Sequence, residues 1–209
     1  GQGIYRQQGQ GIYRQQGQGI YRQQGHYFVK YLYYHNIKTM DSIACNSHDE
    51  RLASLALLEA DKSTMKHHQH GCIAVAGGQI IARGTNSYRC NSNDGYLTDT
   101  CSCHAEIDVL RKLERILTKK QIHTSRWNVV NGNRSAKAGA FYSRISIYVV
   151  RRGTQGNSYK NSAPCIRCAH FMKSVNIKNV IYSNSYGKLT KCKMQHYTTT
   201  HTSQGNMFN

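Results

Sequence analysis

Proline is nearly missing from this chain. Pro164 is the only one among 209 residues, where an average usage of about 5% would supply roughly ten. Acidic residues are missing from a whole half. All 10 lie between Asp41 and Glu114, and from Arg115 onward there is no Asp or Glu, so the formal charge of +18 is unevenly placed. Long apolar runs are missing too. None approaches the roughly 18–20 residues that span a bilayer as a helix, and no basic-then-apolar signal sequence opens the chain. These absences read as a soluble, intracellular protein of the cytoplasm with no membrane partner. The acid-free half has two readings: a summed field that attracts nucleic acid or small phosphorylated ligands, or a solvated basic surface.

What is present begins with eight cysteines. A disulfide framework suits a short secreted chain, and this one has neither the size nor the signal. In a reducing compartment close cysteines point to metal ligands instead, and two pairs are close: Cys101/Cys103 and Cys165/Cys168. Cys45, Cys72, Cys90 and Cys192 read as small packed residues. Hydrophobic residues make up 39%, enough for a core, and the length fits one domain with tails. Residues 1–24 are GQGIYRQQ three times over. Gly and Gln dominate each unit, which predicts disorder, with a nucleic-acid contact through the Tyr-Arg pairs as the functional alternative. The chain does not open on Met, and Met40 begins MDSIACNSHDE. Residues 1–39 are therefore expected to lie outside the folded domain, which is placed at 48–195 and followed by a disordered tail over 196–209.

Between those limits the pattern is mixed α/β. ERLASLALLEADKS, 50–63, is Leu- and Ala-rich with acids toward its start and predicts a helix. GCIAVAGGQIIARGTN, 71–86, has apolar runs on either side of Gly77-Gly78 and predicts a β-hairpin. HAEIDVLRKLERILT, 104–118, sets Val109, Leu110, Leu113 and Leu117 at helical spacing. SRISIYVVR, 143–151, reads as a strand, CIRCAHFMKSVN as a helix, and NVIYS, 179–183, as a strand that NSYG turns back into KLTKCKM. Residues 119–142 and 152–163 show no clear period and read as insertions.

The lone proline stands in NSAPCIRCAH, 161–170. Proline suits the first turn of a helix, where its missing N–H has no partner to lose. That placement puts Cys165 and Cys168 in the first turn, three apart on one face, at an electropositive end that lowers thiol pKa. Two such thiolates are half of a tetrahedral zinc site. CSCHAE, 101–106, supplies His104 and Glu106 at the start of another helix. Residues two apart lie about 200° apart around a helix axis, so both reach one site only if the helix points at it end-on. Two helix N-termini converging on one ion are thus expected, with His104, Cys165 and Cys168 as ligands and a fourth position open, as catalytic zinc requires. Zinc lowers the pKa of a bound water toward 7, and Glu106 suits the proton shuttle.

At these residues the sequence resembles the zinc-dependent cytidine/deoxycytidylate deaminase superfamily, whose signature is H-x-E followed by P-C-x-x-C. Here it reads His104-Ala105-Glu106 and Pro164-Cys165-Ile166-Arg167-Cys168, and the order of elements matches over roughly 50–195. The resemblance implies a three-layer αβα sheet of about five strands with helices on both faces, Zn²⁺ as cofactor and hydrolytic deamination with ammonia release. It implies that Asn86 contacts the substrate sugar, that Ala105, Ser162 and Ala163 line the base pocket, and that the chain self-associates. The gap from HAE to PCxxC is long, and TQGNSYKNSA replaces the family's short link into the second motif.

The NSYG turn requires the last two strands to run antiparallel, since no crossover fits there. By resemblance that suits enzymes acting on free nucleosides and nucleotides, so a small-molecule cytosine nucleotide or nucleoside is the expected substrate. A tRNA or single-stranded nucleic-acid deaminase is the second reading. An inactive zinc-binding scaffold associated with nucleic acid is the third, and the intact Glu106 argues against it. Further candidates keep two readings each. His67, His68 and His70 with Cys90, Cys101 and Cys103 are a second zinc site, or a solvent-facing cluster and packed thiols. Arg151 and Arg152 hold a phosphate, or are a solvated pair. Trp127 stacks on a base, or anchors its insertion.

Overall fold

Gly77 and Gly78 both take left-handed backbone conformations, with φ of 56° and 77°, as a type I′ turn needs. They close a hairpin between β1 (His70–Ala76) and β2 (Gln79–Thr85). This is the hairpin expected around the glycine pair. The computed structural model describes residues 43–98, 100–119, 136–155 and 158–203. The GQGIYRQQ repeats, the rest of the leader and Trp127 lie outside the described residues.

Helix α1 (Ser47–Ala60) precedes the hairpin. It starts three residues earlier than its composition suggests because Asn46 caps it. The Asn46 side chain accepts from the Asp49 N–H at 2.9 Å, and Asp49 accepts from the Asn46 N–H at 3.3 Å, a reciprocal capping box. After β2 come α2 (Ala105–Lys119), α3 (Ala136–Tyr142), β3 (Ser146–Arg152), β4 (Tyr159–Lys160), α4 (Ile166–Ser174), β5 (Asn179–Ser183) and β6 (Leu189–Lys193), then a 3₁₀ turn, Met194–His196. The sheet runs β2-β1-β3-β5-β6, with β4 pairing β3 beyond the point where β5 stops. Only β3 and β5 are parallel, and α4 makes their crossover. β5 and β6 are antiparallel, as the NSYG turn requires.

Two elements differ from the sequence reading. The apparent insertions 119–142 and 152–163 contain α3 and β4, so the sheet has six strands rather than about five. Seven residues and two residues are too short to carry a readable period.

Helices cover both faces, as a three-layer αβα fold requires. On one face α1 packs Leu52, Ala53, Ala56 and Leu57 against Ile73, Val75, Tyr148 and Val150. The approach is close at Gly71, where a Cβ would lie 1.9 Å from the Ala56 carbonyl oxygen. On the other face α2 brings in Val109, Leu110, Leu113 and Leu117, all fully buried, beside Met172 of α4 and Ala138 and Tyr142 of α3. These four apolar positions of α2 are the ones its sequence spacing sets on one side.

The chain end also departs from expectation. Of the expected disordered tail, 196–209, residues 196–203 are described, and there the Tyr197 ring is fully buried against Tyr182. Its hydroxyl donates to the Pro164 carbonyl at 2.7 Å, and the Ile166 N–H donates to the His201 carbonyl at 2.9 Å. A polar Thr-rich segment carries no hydrophobic signal beyond that tyrosine, so its docking is invisible in the sequence.

Candidate metal centre

The helix starts are what assemble the site. His104 stands immediately before α2, and its carbonyl accepts the Asp108 N–H at 3.0 Å, the first bond of the helix. Cys165 stands in the same place on α4. It is the N-cap, with extended backbone (φ −71°, ψ 167°), and its carbonyl accepts the Ala169 N–H at 2.9 Å. Pro164 therefore lies just outside α4 rather than in its first turn. It sets the approach of the chain, and its carbonyl is held by Tyr197. Because His104 is a cap and not a helical residue, it can turn toward the same point as Glu106, which the 200° spacing of two helical residues forbids.

The Nδ1 of His104 is 3.3 Å from Cys168 Sγ and 3.6 Å from Cys165 Sγ. The three ligand atoms all lie within 4.8 Å of one another. A tetrahedral zinc with Zn–S of about 2.3 Å and Zn–N of about 2.0–2.1 Å places N and S about 3.6 Å apart, so the spacing fits that ion. The donor set fits as well, since borderline-soft zinc takes thiolate and imidazole together.

The electrostatics follow from crowding. The hydrogen bond from Cys168 holds the Cys165 thiol far below its ordinary value against the effect of burial, and His104 lowers it further. The same bond, with burial, pushes Cys168 up. Burial opposes the charge on His104, but its contact with Cys165 prevails and raises its pKa. Glu106 is 5% exposed, with no Lys or Arg paired to it among the described residues. Burial raises its carboxyl, and the nearby His104 charge offsets only part of that.

The residues expected around a substrate divide. Ala105 is fully buried at the first turn of α2. Ala163 is half-buried, and its N–H is taken by Asn161 Oδ1 at 3.1 Å. Asn86 is largely spent inside the protein. Its Oδ1 accepts from the His70 N–H at 2.8 Å and from Ser63 Oγ at 2.7 Å, and its Nδ2 donates to the His68 carbonyl at 2.8 Å. One N–H is left for a ligand. Ser162 is more inward still. Its hydroxyl donates to the Val149 carbonyl at 2.8 Å and accepts the Ser183 N–H at 2.9 Å, tying β3 to β5. Its side chain acts as a strut.

No second metal group forms among the described residues. His104, Cys165 and Cys168 are the only set of three donors close enough to share an ion. Cys90 and Cys101 are exposed. Cys103 is buried, with its pKa pushed up to about 11 by that burial. His70 belongs instead to the strand end beside the site. Burial lowers its pKa to about 4, and it lies near enough to His104 to feel its charge. The loop before α2, 91–98, was missed in the sequence. Asp94 accepts from Arg111 Nε at 2.5 Å, and Arg167, between the two site cysteines, donates to the Tyr96 carbonyl at 3.1 Å. A single Asp among polar residues gives no sign of such a partner.

Residues 46–184 match the family model described as "Cytidine and deoxycytidylate deaminase zinc-binding region". The chain belongs to this family. Among solved structures it is similar to the dCMP deaminase of the cyanophage S-TIM5 in apo form. That likeness has 20% identity and a TM-score of 0.42 over 68% of this chain and 86% of the phage chain. The same phage enzyme in complex with dCMP and dUMP gives 21% identity and a TM-score of 0.42 over 69% and 86%. The cytidine deaminase of Burkholderia pseudomallei gives 16% identity and a TM-score of 0.44 over 76% of this chain and 100% of that one. No curated protein matches the chain. Among the described residues no helix is long and apolar enough to cross a membrane.

Proposed function

We propose that this chain catalyses the zinc-dependent hydrolytic deamination of a free cytosine nucleotide or nucleoside. The carrying observation is the meeting of two helix starts at His104 Nδ1, Cys165 Sγ and Cys168 Sγ with the buried carboxyl of Glu106 alongside. Those three atoms would hold the ion. A zinc ion bound there supplies the Lewis acidity that brings a water toward a pKa of about 7. The two helix starts add positive potential that favours thiolates. Glu106 takes the proton of the attacking water and returns it to the departing nitrogen. The net change is a C–O bond formed at C4 of the base, a C4–N bond broken and ammonia released. One Asn86 N–H remains to orient the sugar, and Ala105 and Ala163 stand at the positions that the family resemblance sets around the base. The antiparallel β5–β6 pair supports a small substrate over a polynucleotide, by likeness to the free-nucleoside branch of the superfamily.

Ammonia release with cytidine, deoxycytidine, CMP, dCMP and single-stranded oligonucleotides, together with zinc content, tests this for wild type and Glu106→Ala. Turnover of small substrates is expected, with Glu106→Ala keeping its metal and losing activity. Reaction with oligonucleotides alone, or bound zinc with no reaction at all, overturns the reading.

A further inference from the structure

Arg151 and Arg152 end β3 side by side, and the pleat sends them to opposite faces. Arg152 pairs with Asp61 at the C-cap of α1. Arg151 takes the other direction. It alternates with Val149 and Ile147, whose side chains join the core beneath α2 and α4. Its Nε is buried without a hydrogen-bond partner, and no carboxylate pairs with it among the described residues.

The register gives Arg151 two neighbours on that face. It opposes His70 of β1 and Lys160 of β4, and directly opposed residues share a face. Ser162, three residues before Cys165, donates to the carbonyl of Val149, two residues before Arg151 on the same strand, at 2.8 Å, so this end of β3 lies at the metal end of the sheet. Lys160 also lacks an acidic partner among the described residues, and the sequence around both cations holds no Asp or Glu after Glu114. A half-buried guanidinium with an ammonium beside it and no anion of its own suits a ligand that brings one.

We propose that Arg151, with Lys160 next to it, binds the phosphate of a pyrimidine nucleoside 5′-monophosphate, so that the site selects nucleotides over nucleosides. This rests on the deaminase reading above and narrows it. A terminal phosphate carries nearly two charges at neutral pH and presents oxygens that a guanidinium fork can grip in pairs.

The test is kcat/KM of the zinc-loaded full chain for dCMP against deoxycytidine, in wild type, Arg151→Ala and Arg151→Lys. Binding of dUMP against deoxyuridine, followed by calorimetry, runs beside it. Wild type is expected to favour the monophosphate in both assays. Arg151→Ala is expected to shrink that ratio about 10- to 100-fold, with Arg151→Lys between the two. If a variant fails to fold, the wild-type ratios decide: equal handling of dUMP and deoxyuridine overturns the proposal. So does an Arg151→Ala protein that loses both substrates in proportion. Deamination of deoxycytidine as good as that of dCMP leaves the deaminase reading standing and removes the phosphate site alone. If only single-stranded oligonucleotides react, the reading and the phosphate site fall together.

Discussion

The α1 face of the sheet buries Asp49 and Glu59, both paired with cations, and the α2 face buries Glu106, which has no such partner among the described residues. On the α1 face Asp49 is 1% exposed and fully matched. It accepts from Tyr148 Oη at 2.7 Å, from Lys191 Nζ at 3.1 Å and from its own cap partner. Burial pushes its pKa up, but these donors win and hold it below the ordinary value. On the α2 face Glu106 is as hidden, has no cation paired to it among the described residues, and is raised. A matched buried acid contributes stability, whereas an unmatched one is where chemistry is expected.

Four changes break or sharpen that contrast. Glu106→Gln should cut kcat/KM roughly 10²–10⁴-fold while the urea midpoint stays at or above wild type, since no ion pair is lost. Asp49→Asn should do the reverse, removing about 2–3 kcal/mol from the unfolding free energy with kcat/KM per folded molecule close to wild type. This second gap also has a pH signature. A carboxyl lowered by folding stabilises fully above its unfolded pKa of about 3.9 and loses that contribution as pH falls through its folded value. The difference between wild type and Asp49→Asn should therefore be complete at pH 7 and shrink below about pH 4 in paired urea titrations.

The glycines extend the comparison to packing. Gly71→Ala on the α1 face drives a methyl against the Ala56 carbonyl, 1.9 Å from the ideal Cβ position. It should cost about 1–3 kcal/mol in thermal or urea unfolding. Gly84→Ala on the opposite face meets Val109 Cγ2 at 2.8 Å and the Ala105 carbonyl at 3.0 Å. It should cost about 1 kcal/mol, and because it presses on the residue between His104 and Glu106, it should also lower kcat measurably where Gly71→Ala does not.

The parts of this molecule that were legible in the sequence are those in which local chemistry leaves one solution. Gly77-Gly78 supplies two left-handed positions, which a type I′ turn requires. The apolar spacing of α2 lays Val109, Leu110, Leu113 and Leu117 on one stripe, and all four are buried. His104, Cys165 and Cys168 could be chosen by donor type and order, and their ligand atoms do come together. The parts that stayed hidden depend on partners distant in the chain. Asn86 was expected to face a ligand, yet three of its four hydrogen bonds close on Ser63, His68 and His70. Arg151 and Arg152 look alike in sequence, and only sheet register separates an ion pair with Asp61 from an unmatched cation. β4 consists of two residues, and it exists because β3 extends past β5 and leaves an open edge.

The thiol pair hangs from a knot tied by the last stretch of the chain. Tyr197 grips the carbonyl of Pro164, and His201 receives the amide of Ile166, so both bonds flank Cys165. Cutting the polypeptide before Tyr197 would untie both at once and leave a buried carbonyl and a helix-start amide seeking water. A shortened protein should therefore retain zinc poorly even though every ligand side chain is still present.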